Sequence, residues 1–388
     1  MKKLAIIGAQ RMAKNYAINA REMGIETYCF AWEKGAVAKE YVDKFYPISI
    51  FDVDSILDVL KQVGIDGIVS TSELTIAIAA DLAMQLNLPS LRPDVAKVIT
   101  NKYRNRLATR NVKGLHHPGY ALVRTVQEVL DSGMRFPCIM KPLSEGGKRG
   151  VIVVSSEQEL AKAFDYTRKE SKRQDSFLVE EYLSEGREYS VESLSFHGQN
   201  SIIQITEKIT SGPPHCVELG HRQPANLSES LRREVMSVID RALTAVGVSE
   251  GPCHTEIKII DDKVYLIEFN ARPGGDFISY PLVDLSTGYA YLKGAIRIAL
   301  GDFVPPVEQE LKHEYAGVYF LTKQTEELLP LFNVCQKFDW CWRKNEVGEI
   351  SDLLHNDCDG TNYFIYHAPH GIPPQIENVY GGILQRRI

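Results

Sequence analysis

Two glutamates, an asparagine and an arginine stand close together in the run His254-Thr-Glu256-Ile-Lys-Ile-Ile-Asp-Asp-Lys-Val-Tyr-Leu-Ile-Glu268-Phe-Asn270-Ala-Arg272. Asp261, Asp262 and Lys263 interrupt two β-rich stretches, so the run reads as a hairpin. With the turn centred on Asp262, Glu256 faces Glu268 directly, their Cβ atoms about 4.5–5.5 Å apart. Period-two alternation puts His254, Glu256 and Lys258 on one face with Leu266, Glu268 and Asn270, and leaves Cys253, Ile257, Ile259, Tyr265, Ile267 and Phe269 for a core. Opposed carboxylates repel unless a cation lies between them. An oxygen-only set of two carboxylates and an amide suits Mg2+, with Mn2+ as a substitute. The plain alternative is a charged face that meets water. Arg272 and the flexible Gly274-Gly275 that follow weigh against it, because charges of both signs converge there as phosphoryl transfer requires.

Upstream, Pro137-Cys-Ile-Met-Lys141 ends a buried strand in a lysine, and Ser144-Glu-Gly146-Gly147-Lys148-Arg149-Gly150 follows. Glycines let a backbone approach phosphates and successive amides form an anion nest. The G-x-x-x-x-G-K-[ST] spacing of a P-loop is missing. Phe177-Leu-Val-Glu180-Glu181-Tyr182-Leu183 and then Glu188 read as a hinge strand whose main chain can meet a purine edge, with an acid near for ribose hydroxyls. Glu73, after Thr71-Ser72, lies at the end of a predicted parallel strand, where open α/β sheets bind ligands.

The elements that must position these groups divide the chain. Residues 1–95 alternate strand and helix (Leu4 to Gly8, Ala13 to Met23, Glu26 to Phe30, Ile56 to Val63, Gly67 to Thr71, Thr75 to Leu86), the rhythm of a small doubly wound parallel sheet. From about residue 118, strand candidates crowd together at 138–141, 151–154, 177–182, 188–196, 200–209, 216–223, 252–260 and 264–270, which predicts α+β sheets. Ser156 with Glu159 has the form of a capping box. After Ser228, apolar residues recur at helical spacing up to Gly247, a natural stop. Residues 305–388 show no catalytic pattern.

At 388 residues the chain suits two or three domains, and 44% hydrophobic with 24% charged residues marks an ordinary globular protein. A net charge of −6 without a basic block speaks against nucleic acid or anionic lipid as partner. No stretch approaches the roughly 18 apolar residues of a membrane span. The apolar run at the start is too short for a signal peptide. Seven scattered cysteines (29, 138, 216, 253, 335, 341 and 358) form no C-x-x-C pair, so neither a disulfide framework nor a structural zinc is expected and a reducing cytoplasm is.

A lysine beside a glycine-rich loop, a Glu-x-Tyr-Leu hinge, then Glu256, Glu268, Asn270 and Arg272 in that order: together these resemble the ATP-grasp superfamily over residues 1 to about 300. The resemblance implies a preATP-grasp domain (1–95), linker helices with a small subdomain bearing the lid and phosphate loop (96–184), a large subdomain with the metal hairpin (185–304), and an α+β extension (305–388). It also implies an ATP site in which Lys102, Lys141 and the loop residues Gly146, Gly147 and Lys148 meet phosphates. Glu180, Tyr182 and Leu183 would meet the adenine, Glu188 the ribose, and Glu256, Glu268 and Asn270 the Mg2+. Thr206 to Ala225, with Glu218 and His221, looks like the L-amino acid ligase branch, where this segment lines the substrate pocket.

The implied reaction activates a small carboxylate as acyl phosphate and condenses it with an amine, with Arg272, Lys141 and the Gly274 and Gly275 amides at the reacting centre and Glu73, Glu218 and His221 about the substrates. A homodimer is common among such enzymes. The alternative is a purine-biosynthetic ligase or carboxylase of the same superfamily, akin to phosphoribosylglycinamide synthetase. A nicotinamide oxidoreductase is excluded, because Gln10 and Ala13 stand where G-x-G-x-x-G needs glycine.

Overall fold

The computed structural model describes residues 1–171, 174–350 and 360–385. Strands β1 (Lys3–Ile7), β2 (Glu26–Phe30), β3 (Lys44–Tyr46) and β4 (Gly67–Ser70) form a parallel sheet in the order β3-β2-β1-β4. Ala5, Ile6 and Ile7 are wholly buried, as strands covered on both faces require. Helices α1 (Arg11–Glu22), α2 (Val53–Val63) and α3 (Glu73–Gln85) follow the strands. Asp52 caps α2 by accepting from the Ser55 amide, and Gly64, at φ 69°, ends it. β3 was not anticipated, since three residues led by an exposed lysine carry no alternation. Glu73 opens α3 just past β4, at the carboxyl edge of the sheet.

Helices α4 (Pro93–Ile99) and α5 (Lys102–Thr109) lead to a nine-stranded sheet through the short β5 (Leu115–His116) and to a separate four-stranded one. The latter contains β6 (Tyr120–Val123), β7 (Cys138–Pro142), β8 (Ile152–Val154) and β9 (Phe177–Glu181), ordered β6-β9-β7-β8. Helices α6 (Val126–Asp131) and α7 (Leu160–Glu170) close its core around Met140, Phe164 and Phe177. The expected Ser156 capping box does not form. A 3-10 turn over 157–159 precedes α7, and the Glu159 carboxylate instead accepts from the Ser155 amide at 2.8 Å.

The large sheet is built on β10 (Arg187–Phe196), β11 (Gln199–Thr210), β12 (Glu218–Gln223), β13 (Gly251–Ile260) and β14 (Lys263–Asn270). β15 (Tyr315–Leu321), β16 (Cys341–Asn345) and β17 (Asn362–Ala368) extend it beside β12, so part of the patternless last quarter belongs to this sheet. Helix α8 (Glu229–Val246) covers one face. Ser228 accepts from the Leu231 amide at its start, and Gly247 ends it at φ 87°. Val235, Ile239 and Leu243 pack there with Ile257, Ile259, Leu266 and Phe269.

The hairpin differs from expectation in one respect. Its turn is the two residues Asp261 and Asp262, both at positive φ, and a bulge leaves Ile267 unpaired. Ile257 therefore pairs with Leu266, which joins the core, while Ile267 turns towards the opposite face. The bulge restores the register beyond it, so Glu256 does pair with Glu268 and His254 with Asn270. Six described cysteines are free, and Cys358 lies outside the described residues. No described helix is long and apolar enough to cross a membrane.

Candidate functional site

Cross-strand register lays the polar side chains out in rows on the open face of the large sheet. One row is His221, Lys208, Glu188 and Lys258; the next is Thr206, Ser190, Glu256 and Glu268; the third is Gln204, Glu192, His254 and Asn270. Each strand supplies residues two apart, so a single face carries them all. Two cavities share this floor. One, of about 720 Å3, lies against the four-stranded sheet and is lined by Lys141, Gly146, Tyr182, Leu183, Ile267 and Glu268 among others. The second, of about 1100 Å3, reaches the parallel sheet through Thr71, Ser72 and Glu73, and includes Lys208, Glu218, His221 and Arg272. Gly147, Lys148, Glu256 and Glu268 line both.

Each central carboxylate is held by a lysine. Lys102 Nζ lies 2.7 Å from Glu268 and donates to the Glu145 carbonyl, while Lys208 Nζ lies 2.9 Å from both Glu256 and Glu218. Burial works to protonate Glu256, but Lys208 and the hydrogen bond from His254 keep its carboxyl well below the usual range; against its own burial, Lys102 lowers Glu268 as well. Asn270 donates to Glu268 at 3.0 Å. Among the described residues no three His, Cys, Asp or Glu form a metal-holding group. The candidate set is thus two ionised carboxylates and an amide oxygen, which fits a hard divalent cation.

Lys141 donates to Glu180 at 2.7 Å, and Arg106, wholly buried, meets the other oxygen at 2.6 Å. Against its burial, these two cations hold Glu180 down to about 2. Glu180 was expected to meet the adenine through the main chain of its strand. Its carboxylate lies inside the protein and holds Lys141, which leaves the main chain to face a base. Tyr182 packs with Ile139, Val151 and Cys216 on the wall of the first cavity, and Lys258 donates to the Leu183 carbonyl. Glu188 lies 3.7 Å from Lys148, whose backbone has φ 62°.

In the second cavity Arg272 Nε donates to Glu73 at 3.0 Å, and against burial Arg272 holds the Glu73 carboxyl low. Gly146 lies against that carboxylate: a Cβ there would stand 2.6 Å from Glu73 Oε1. Glu218 and His221 were expected to take the amine. Glu218 is already shared with Lys208 and Lys148, although burial and then the nearby Glu256 and Glu188 raise its pKa. His221 is buried with neither ring nitrogen hydrogen-bonded to a described residue, and burial, then Lys208, pushes it well below its ordinary pKa. The Gly274 amide, expected to face an oxyanion, donates to Ser279 Oγ at 2.6 Å.

A model of the ATP-grasp N-terminal domain matches residues 18–90, and a model of the ATP-grasp domain matches residues 134–280. The chain belongs to the ATP-grasp superfamily. Enzymes of this superfamily use ATP with Mg2+, and the cavity between the four-stranded and nine-stranded sheets is lined by residues of the matched ATP-grasp domain together with Lys102 and Pro118. Formate-dependent phosphoribosylglycinamide formyltransferase from Bacillus subtilis is 24% identical over 290 residues, 70% of this chain and 71% of that protein. Among solved structures, L-amino acid ligase from Bacillus licheniformis superposes with a TM-score of 0.82 at 22% identity, covering 99% of this chain and 97% of that one. N5-carboxyaminoimidazole synthetase from Staphylococcus aureus complexed with ADP gives 0.77 at 14%, covering 100% and 97%. At these identities the structural likeness concerns the ATP-grasp fold.

Several residues of this ATP-grasp cleft escaped the sequence reading. Lys208 lies on a long strand and looks like a surface lysine until the sheet register is known. Arg106 sits on a short helix 74 residues before its partner Glu180. Glu192 and His254 are buried together 62 residues apart. His254 was visible as a neighbour of Glu256 on the same face, yet nothing local pointed to Glu192. Against its own burial, Glu192 raises His254 to about 9.

Proposed function

We propose that this chain is an ATP-dependent carbon–nitrogen ligase that activates a small carboxylate as acyl phosphate and joins it to the amine of an amino acid or similar compound. The observation that carries the amino acid reading is the charge balance of the second cavity. Arg272 faces Glu73, Lys208 faces Glu218 and Glu256, and Lys148 faces Glu188 and Glu218. ATP would bring Mg2+ to offset the charge its phosphates add beside Lys102 and Lys141, whereas a substrate phosphate in the second cavity needs cations to spare, and each described lysine and arginine lining that cavity already meets a carboxylate. A zwitterion or a neutral amine exchanges charge with such pairs at little cost.

ATP would lie in the cavity under residues 144–150, its base against Tyr182 and the Leu183 main chain. Glu256, Glu268 and Asn270 would hold Mg2+, which when bound neutralises phosphate charge. Lys141, fixed by Glu180, and Lys102 would meet the phosphate oxygens. The substrate carboxylate attacks the γ-phosphorus from the second cavity, giving ADP and the acyl phosphate. The amine then attacks the acyl carbon, phosphate leaves, and an amide forms. Arg272 stabilises the oxyanion. The two cavities meet at Gly147 and Lys148, so closure of this loop shields the acyl phosphate from water.

Screening ADP release over pairs of carboxylates and amines tests this. Release should require both partners, and an equal rate with neither present would refute the ligase reading. The relatives named for phosphoribosylglycinamide chemistry favour a second reading, in which the substrate is a phosphoribosyl amine and formate the carboxylate. Turnover with that pair and none with amino acids would establish it.

A further inference from the structure

We propose that Glu192 is a positioning residue that anchors the candidate metal ligand Glu256 and the Pro273–Phe277 loop to one point, so that the metal site and the substrate wall cannot move independently. The proposal rests on the ligase reading only in taking Glu256 as a ligand. Glu192 lies at the middle of β10, wholly buried, and the reaction described above makes no use of it. Burying a carboxylate is costly unless it is fully hydrogen-bonded. Here it is: Oε1 meets His254 Nδ1 at 2.5 Å and the Ser190 hydroxyl at 3.2 Å, and Oε2 accepts from the Ser279 hydroxyl at 2.6 Å.

Two arms leave this point. Along the first, β10–β13 pairing sets Glu192 opposite His254, whose other ring nitrogen lies 3.2 Å from Glu256 Oε1. The ring is thereby held between two carboxylate oxygens and fixes the rotamer of the second. Along the other, Ser279 Oγ accepts the Gly274 amide at 2.6 Å. The loop backbone rests directly on the pair, since a Cβ on Gly274 would stand 2.6 Å from His254 Nδ1 and 3.1 Å from Glu192 Oε2. Pro273, Gly275 and Asp276 of the same loop line the substrate cavity. Outer partners that orient ligand side chains commonly change metal affinity by about 10–100-fold when removed.

The test is calorimetric titration of ADP, with Mg2+ and with EDTA, into wild type and Glu192→Gln. The variant should bind ADP in EDTA within about twofold of wild type and lose roughly tenfold or more of the Mg2+-dependent gain. His254→Gln, which cuts the same arm from the other side and buries no new charge, should lose that gain alike. Ser279→Ala, which cuts only the loop arm, should keep the Mg2+-dependent gain and speed amide hydrogen exchange at Gly274 and Gly275. An undiminished Mg2+-dependent gain in both Glu192→Gln and His254→Gln, or equal losses with and without Mg2+, overturns the proposal. If wild-type ADP affinity ignores Mg2+, the metal assignment itself fails and the proposal falls with it.

Discussion

Replacing Arg106 with methionine leaves Glu180 deep in the protein with a single cation. The guanidinium is completely buried, 2.6 Å from Glu180 Oε1, and its other arm donates to the Ile267 carbonyl at 2.8 Å. Removing one partner of a buried ion pair costs about 3–5 kcal/mol. Lys141 remains at 2.7 Å and puts the charge loss at the lower end, while the stranded Ile267 carbonyl adds about 1 kcal/mol. The expected loss is therefore about 3–4 kcal/mol in equilibrium urea unfolding at pH 7. The pH dependence has a definite sign. Held against burial by Arg106 and Lys141, Glu180 has a folded pKa depressed from 4.5 to about 2, so its stabilisation is present above pH 4.5 and disappears as pH falls towards 2. The difference between wild type and Arg106→Met should shrink over that window. The double variant Arg106→Met/Glu180→Gln should cost less than the two single losses added together. An Arg106→Met protein within 1 kcal/mol of wild type at pH 7 would refute the reasoning.

Glu268→Ala should abolish ADP formation while its circular dichroism spectrum and unfolding midpoint stay near wild type; substantial residual turnover would remove the metal assignment. Gly146→Ala drives a methyl group into the Glu73 carboxylate and should weaken ATP binding roughly tenfold, as each 1.4 kcal/mol of displaced loop costs in Kd; unchanged affinity in a titration would show that the loop seats elsewhere. Burial raises Asp284 from 3.8 to about 7, which makes it a cost to folding that grows as pH rises from about 4 to 7. Asp284→Asn can keep the acceptor for the Tyr291 amide and should stabilise the protein by up to about 4 kcal/mol at pH 8 and hardly at pH 4, as read from unfolding midpoints.

What local pattern specifies was legible: the parallel sheet, the α8 boundaries and the Glu256–Glu268 pairing. The pairing came out right through two departures that cancel, a tighter turn and a bulge at Ile267, and neither leaves a mark in residue types. Groups defined by register between distant strands stayed hidden. Lys208 gains its meaning from strands on either side, and nothing in the spacing around Glu180 points to Arg106 as the partner of its carboxylate. The strands of the last quarter went unseen because aromatic and turn residues crowd them and because β12, the strand that joins β15 to the rest of the sheet, lies far upstream.

Strand β12, which carries Glu218 and His221, is hydrogen-bonded on one side to β11 and on the other to β15. During synthesis it stays an open edge until Tyr315–Leu321 has left the ribosome, long after the metal hairpin is complete. The second cavity is thus completed only after the hairpin that carries the candidate metal ligands. A nascent or trimmed chain lacking those strands would keep that hairpin beside an unpaired strand edge, prone to pair with another such edge.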